Sequence, residues 1–130
     1  MWMPVRCARA LIAKWRQVLL VGWSIGCLAI VVGSLMPTLA PPAIRVGILS
    51  LDELIQFGSY GLIAFLPQMA IERSTPATWA ALSMAVLGAA VEVAQVYVPG
   101  REGSLGDVLA NTLGVFGGIA LGLKLRARAA

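Results

Sequence analysis

Four apolar stretches of nearly equal length follow one another along the chain. They cover about 18–36, 48–71, 77–98 and 105–123. A helix that crosses a bilayer needs roughly 20 mostly apolar residues, and each stretch is close to that length. The segments between them are short, and the first of them is rich in proline. The pattern predicts an all-α polytopic membrane protein in which residues 1–130 form a single domain of four transmembrane helices.

The first stretch has a competing interpretation as a cleaved signal peptide, because basic residues precede it and Thr38-Leu39-Ala40 resembles a cleavage site. Pro41 at the following position would hinder cleavage, and the apolar run is long for a signal. The residues before Cys27 resemble a lipoprotein signal only weakly, because the apolar run continues past the cysteine. We therefore favour an uncleaved span.

Lysine and arginine gather on one side of the predicted spans. The segments that carry them are the N-terminal one (Arg6, Arg9, Lys14, Arg16), the second connection (Arg73) and the C-terminal one (Lys124, Arg126, Arg128). Only Arg45 and Arg101 fall on the opposite side. Because basic residues favour the cytoplasmic side, both termini are predicted to be cytoplasmic. Trp15 and Trp79 lie at the same interface, as membrane anchors commonly do.

Composition supports lipid as the solvent. The chain is 59% hydrophobic and 12% charged, whereas soluble domains carry about 25% charged residues. Its net charge of +4 comes from basic residues between and outside the spans, without interleaved aromatic residues. We therefore predict the bilayer, and no nucleic acid, as a partner. Two cysteines without histidine do not make a zinc site, and the sequence identifies no cofactor.

Ionisable and amide side chains enter the spans near one surface only, which is the outer one in this orientation. They recur every three or four residues, so each span carries them on one face: Asp52, Gln56 and Tyr60, then Glu92 and Gln95, then Asp107 and Asn111. A carboxylate inside the membrane costs several kcal/mol unless it is paired, protonated or hydrated. The three faces are therefore predicted to form an outward-facing polar pocket, capped by residues 99–104, with Arg101 as the nearest cation.

Structural explanations remain open for most of these residues. Ser50 with Glu53, and Ser104 with Asp107, have the spacing of helix-capping boxes. Gln56, Gln95 and Asn111 would also suit hydrogen bonds between helices, and Tyr60 would suit packing. The series Gly114, Gly118 and Gly122 indicates a close-packing face. Glu92 is the exception, because it follows an apolar run near a helix end and has no local stabilising group. It is the candidate catalytic residue.

Two blocks of residues resemble a known family. They read Asp52-Glu53-x-x-Gln56-Phe57-x-x-Tyr60 and Glu92-x-x-Gln95, Pro99-x-Arg101-x-x-Ser104-x-x-Asp107-x-x-x-Asn111-x-x-Gly114. The pattern resembles the VanZ-like family of small bacterial membrane proteins. Glu53 stands where the family usually has lysine, and Gln56 where it has histidine. Glutamine cannot titrate, so a hydrogen-bonding role survives at position 56 but a proton-transfer role does not.

The resemblance implies a multi-pass protein of the bacterial cytoplasmic (inner) membrane with a role in the cell envelope. The family's founding member is associated with low-level resistance to the glycopeptide teicoplanin. The first hypothesis is a pocket that binds a polar headgroup or envelope precursor, with Arg101 gripping a phosphate or carboxylate bidentately. The predicted ligand-binding residues are Asp52, Gln56, Tyr60, Glu92, Gln95, Arg101, Ser104, Asp107 and Asn111.

Two alternatives belong to other classes. The first is a membrane enzyme acting on a lipid-linked substrate at the outer leaflet. In it, Glu92 serves as general base, or Glu92, Asp52 and Asp107 hold a divalent cation such as Mg²⁺ or Ca²⁺. The second is a small transporter subunit. No acidic residue continues the path inward, so transport would need an oligomer. The sequence does not determine the oligomeric state, and a metal-free site remains the primary prediction.

Overall fold

Four α-helices make up most of the computed structural model, which describes residues 5–130, with side chains from Cys7 onward. The helices are α1 (Val5–Leu35), α2 (Leu51–Ala70), α3 (Ser74–Gln95) and α4 (Leu105–Ala129). The predicted all-α class is confirmed. Between α1 and α2 lie a short 3₁₀ turn, Pro37–Leu39, and two paired strands, β1 (Arg45–Val46) and β2 (Leu49–Ser50). The sequence analysis did not predict this hairpin, in which Gly47 adopts a positive φ of 66°.

Three of the helices are long and apolar enough to cross a membrane. By length and composition they are Cys7–Leu35, Ser74–Gln95 and Leu105–Ala129. These helices therefore indicate a membrane protein. The helix α2 falls outside the group. It has 20 residues, a length of about 30 Å, but Asp52, Glu53, Gln56 and Gln68 make it less apolar than the other three helices. The fourth span stays a prediction.

The helix boundaries differ from the predicted spans at several places, and α4 continues to Ala129 rather than ending at Leu123. The helix α1 begins at Val5 rather than at the start of the apolar run, because the basic segment consists largely of good helix formers and continues the helix. The helix α3 ends at Gln95 rather than Val98. Its last turn tightens, with the amide of Val98 donating to the carbonyl of Gln95. The following Pro99 disfavours helical backbone in the residue before it.

The helix α2 lies at the centre of the bundle and contacts each of the other three helices. Its closest neighbour is α4, which runs in the same direction. A Cβ on Gly118 would collide with the carbonyl oxygen of Gly61, and one on Gly114 with that of Phe57. Gly122 packs against the side chain of Gln68. The predicted close-packing face of α4 is therefore confirmed, because only glycine lets these two backbones approach so closely.

The two ends of the bundle differ in character. At the polar end, α1 and α3 finish where α2 and α4 begin. At the opposite, basic end, Arg16 forms an ion pair with Glu72. There Arg126 donates from Nε to the carbonyl of Gln68 (2.5 Å), from Nη1 to that of Glu72 (2.8 Å), and from Nη2 to that of Ile71. The guanidinium thus satisfies carbonyls that the end of α2 leaves without partners.

Candidate functional site

Six polar side chains from three helices are buried together at the polar end. Each is no more than 7% exposed, and they are Gln56 and Tyr60 of α2, Glu92 and Gln95 of α3, and Asp107 and Asn111 of α4. Asp52 and Arg101 are half-buried at their edge, and Ser104 is exposed. The carboxyl groups of Asp52, Glu92 and Asp107 are near enough to interact through their charges. The spacing of these residues in the sequence correctly indicated that the three faces converge.

The first turn of α2 is fixed by a capping box. The hydroxyl of Ser50 accepts from the amide of Glu53 (3.1 Å), and the carboxylate of Glu53 accepts from the amide of Ser50 (2.7 Å). The capping interpretation of Glu53 is confirmed. This anchoring sets the rotation of α2, so that Asp52, Gln56 and Tyr60, which are one turn apart, follow a single line into the bundle.

The start of α4 is held by a residue of another helix. Glu92 of α3 accepts through Oε2 from the backbone amide of Ser104 (3.1 Å), the N-cap residue of α4. The hydroxyl of Ser104 in turn accepts from the amide of Gly106 (3.1 Å). In a capping box the acid three residues on would take the N-cap amide. The capping interpretation that the spacing left open for Asp107 is therefore wrong, because Glu92 occupies that role and leaves Asp107 to the buried cluster.

Gln95 and Arg101 both bind the end of α1. The carbonyl of Ser34 accepts from Nε2 of Gln95 (2.8 Å) and from Nε of Arg101 (2.6 Å), and Nη2 of Arg101 lies 3.3 Å from the carbonyl oxygen of Gly33. These contacts satisfy carbonyls at the α1 terminus. These contacts occupy the edge of the guanidinium group that is formed by Nε and Nη2. A bidentate grip on an anion, as predicted for Arg101, would have to use the edge between the two terminal nitrogens.

Several buried polar atoms in the cluster have no hydrogen-bond partner within the described part of the chain. They are the hydroxyl of Tyr60, Oε1 of Glu92, Oε1 of Gln95, and both Oδ1 and Nδ2 of Asn111. Gly88 of α3 makes room for two of these side chains, since a Cβ there would lie 3.0 Å from the ring of Tyr60 and 3.1 Å from Nδ2 of Asn111. An unpaired buried group costs about 1–3 kcal/mol. The cluster therefore keeps hydrogen-bonding capacity that the fold does not use.

Two neighbouring cavities lie against this cluster. The inner cavity, about 270 Å³, is between α1 and α2 and reaches Gln56 and Tyr60. The outer cavity, about 500 Å³, is covered by the proline-rich segment and by residues 100–104. Asp52 and Arg101 line both cavities. Four carboxylates line the outer cavity, those of Asp52, Glu53, Glu102 and Asp107, together with the guanidinium of Arg101. The outer cavity is therefore predominantly acidic.

Among residues 5–130, no group of three or more His, Cys, Asp and Glu side chains is arranged so that it could hold a metal ion. The alternative in which Glu92, Asp52 and Asp107 share a divalent cation consequently lacks geometric support.

Some contributors to the site could not be read from the sequence. The carbonyls of Gly33 and Ser34 are backbone groups, so no residue type marks them. Gly103 is also tightly placed, since a Cβ there would lie 2.7 Å from the carbonyl oxygen of Glu92. Its position within the conspicuous run from Pro99 to Ser104 was the available signal.

Comparison with known proteins gives one finding. A family model described as VanZ/LLP1 matches residues 27–126, which include the end of α1, the whole of α2 and α3 and nearly all of α4. Comparison with curated proteins and with solved structures returned no match.

Proposed function

This chain belongs to the VanZ/LLP1 family, and on that premise we propose that it is a cell-envelope membrane protein that binds a polar headgroup or envelope precursor in its acidic outer cavity. One observation carries the proposal. Tyr60, Glu92, Gln95 and Asn111 present buried polar atoms without partners in the described chain, and two members of this group, Tyr60 and Gln95, line the cavities at the polar end. The family's association with glycopeptide resistance supports an envelope role.

The proposed placement is the bacterial cytoplasmic (inner) membrane, with four spans and both termini inside. Three helices have the length and apolarity of spans. Counting α2 as the fourth is supported by its length of about 30 Å and by its central position in the bundle. Arg16, Arg73 and Arg126 belong to the basic end, which favours the cytoplasm for that end. The acidic cavity then faces outward.

Cysteine labelling tests this placement. In a background with Cys7→Ser and Cys27→Ser, we expect a membrane-impermeant maleimide to label Glu102→Cys on intact spheroplasts. Arg73→Cys and Arg128→Cys should react only after permeabilisation. Each of the three labelled positions is exposed and lies outside the buried cluster. If α2 did not cross, α4 would end outside, and Arg128→Cys would react on intact cells.

The charge of the outer cavity indicates the kind of headgroup. Four carboxylates would repel a phosphate, and Arg101 already donates to the carbonyls of α1. Carboxylates attract ammonium groups and accept hydrogen bonds from hydroxyls. We therefore favour a headgroup rich in hydroxyl or amine groups over the predicted phosphate. In this arrangement Arg101 positions α1, while Glu92 and Asp107 accept from the ligand.

Replacing Glu92 with glutamine should separate the effect of the carboxylate charge from the effect of its hydrogen bond to Ser104. The glutamine oxygen can still accept from the amide of Ser104, so we expect normal accumulation in the membrane. A hydrogen bond to a charged group contributes about 1.5–3 kcal/mol, so ligand affinity should fall at least about tenfold. Native mass spectrometry of the purified protein would report the fraction that carries co-purified ligand.

Glu72→Gln is the matched control, because Glu72 is an exposed acid at the basic end, and it should leave ligand occupancy unchanged. Full occupancy in Glu92→Gln would contradict the proposed contact. Full occupancy combined with loss of an envelope phenotype would instead support the enzyme alternative, in which Glu92 acts as general base. All the side chains of the proposed site come from one chain, so binding itself requires no oligomer.

A further inference from the structure

An apolar groove runs between α2 and α4 at the polar end. It encloses about 460 Å³ and is lined mainly by aliphatic and aromatic side chains: Leu54, Phe57, Leu109 and Leu113, with Leu49 and Ala110. Glu53 and Gly106 complete its lining at one end. The two helices form its walls. An elongated apolar group that lies in the groove would contact apolar side chains on both sides.

The groove adjoins the acidic outer cavity. Glu53 lines both, so its carboxylate marks the boundary between the apolar and the polar space. This boundary is held in place, because the carboxylate of Glu53 is tied to the amide of Ser50 in the capping box. Gly106 lies directly against it, and a Cβ at that position would collide with Oε1 of Glu53. The apolar groove and the outer cavity thus share Glu53 as a wall, and the outer and inner cavities share Asp52 and Arg101.

We infer that the ligand is lipid-linked: its hydrocarbon tail lies in the α2–α4 groove, and its hydroxyl- or amine-bearing headgroup enters the outer cavity. The inference rests on the proposed function and adds the class of ligand. A tail and a headgroup joined in one molecule match an apolar groove that adjoins an acidic cavity at a fixed boundary. A bulk phospholipid matches less well, because its phosphate would meet the carboxylates of Asp52, Glu53 and Asp107.

Photocrosslinking with a defined probe tests the inference. The probe is dodecyl glucosaminide, a single-chain amphiphile with an amino-sugar headgroup, made with a diazirine either in the tail or on the sugar. The full chain is reconstituted in phosphatidylcholine nanodiscs, and crosslinked peptides are mapped by mass spectrometry. We expect the tail probe to label Leu54, Phe57 and Leu109, and the sugar probe to label residues 100–107.

A variant that fills the groove should weaken both signals. Ala110→Phe places a ring in the groove, and steric crowding of this kind should lower the labelling yield of both probes about tenfold. Ala120→Phe is the control, because Ala120 is exposed on the same helix outside the groove, and it should leave both yields unchanged. The mapping on the unmodified chain decides the question even if Ala110→Phe does not fold.

The different failures are distinguishable. If the sugar probe labels residues 100–107 while the tail probe labels elsewhere, the proposed headgroup pocket stands and the tail placement is overturned. The tail placement is also overturned if a phosphatidylcholine with a diazirine in its acyl chain labels the groove as efficiently as the glucosaminide. If the sugar probe gives no labelling above that phospholipid in the polar cavities, the proposed function fails and the inference fails with it.

Discussion

Gly118→Val will lower the thermal midpoint of the purified protein and deplete it from the membrane, and Gly117→Val will do neither to a comparable degree. A Cβ at Gly118 would meet the carbonyl oxygen of Gly61 and would lie 3.0 Å from the backbone amide of Phe65. Backbone atoms cannot rotate away as a flexible side chain can, so α2 and α4 would have to separate. Forced overpacking of this kind costs about 3 kcal/mol.

Gly117→Val is a close control for Gly118→Val. Gly117 is the preceding residue of the same helix, and a Cβ there would have nothing within 4 Å. Both variants exchange glycine for valine, so the change in helix propensity is the same in each. The difference between their midpoints therefore isolates the α2–α4 contact. Equal midpoints would mean that these helices are not packed backbone to backbone at Gly61.

Much of this architecture could be predicted from the sequence, because the spacing of residues along a helix determines which of them share a face. Residues three or four apart lie on one face whatever the surrounding fold. Placing a polar helix face against lipid is costly in free energy, so the polar faces of different helices must pack against one another. The same reasoning placed Gly114 and Gly118 on a packing face. The capping box of Ser50 and Glu53 was equally accessible, because both of its partners lie within one turn.

The second capping motif shows that local spacing alone does not identify the residue that caps a helix. Ser104 and Asp107 have the same spacing as Ser50 and Glu53, yet the acid that holds Ser104 is Glu92, from a different helix. Local sequence cannot decide between two acids when tertiary packing brings the distant one closer. This exchange is also what connects the cap to the site, since Glu92 keeps its second oxygen within the buried cluster.

The arginines illustrate a second limit. Arg101 was predicted to grip an anion and Arg126 to mark the cytoplasmic side, but both guanidinium groups bind helix-terminal carbonyls. Arg101 holds the end of α1 and Arg126 the end of α2. A carbonyl acceptor exists at every residue, so the sequence gives no signal for which one an arginine will reach. Charge alone therefore gave no indication of the structural role of Arg101, and its contact with an anion stays a prediction.

Replacing Asn111 with leucine should weaken ligand binding without destabilising the protein. Asn111 is 1% exposed, and neither its oxygen nor its nitrogen has a partner within residues 5–130. Leucine has a similar size and removes two buried groups whose desolvation is uncompensated. Such a change is expected to be neutral or to stabilise by about 1 kcal/mol. The ligand would lose a donor and an acceptor, so its affinity should fall at least about tenfold.

Thermal midpoint and ligand occupancy, measured on one preparation, test both halves of this prediction. Thr112→Val is the control: the hydroxyl of Thr112 donates within its own helix to the carbonyl of Val108 (2.8 Å), so its removal should spare the ligand. If Asn111 were instead hydrogen-bond glue between helices, leucine would lower the midpoint. An Asn111→Leu protein that is less stable but fully loaded with ligand would reverse both expectations. The two measurements belong together because a buried polar residue that serves ligand binding lowers the stability of the unliganded fold. A residue that serves packing raises that stability.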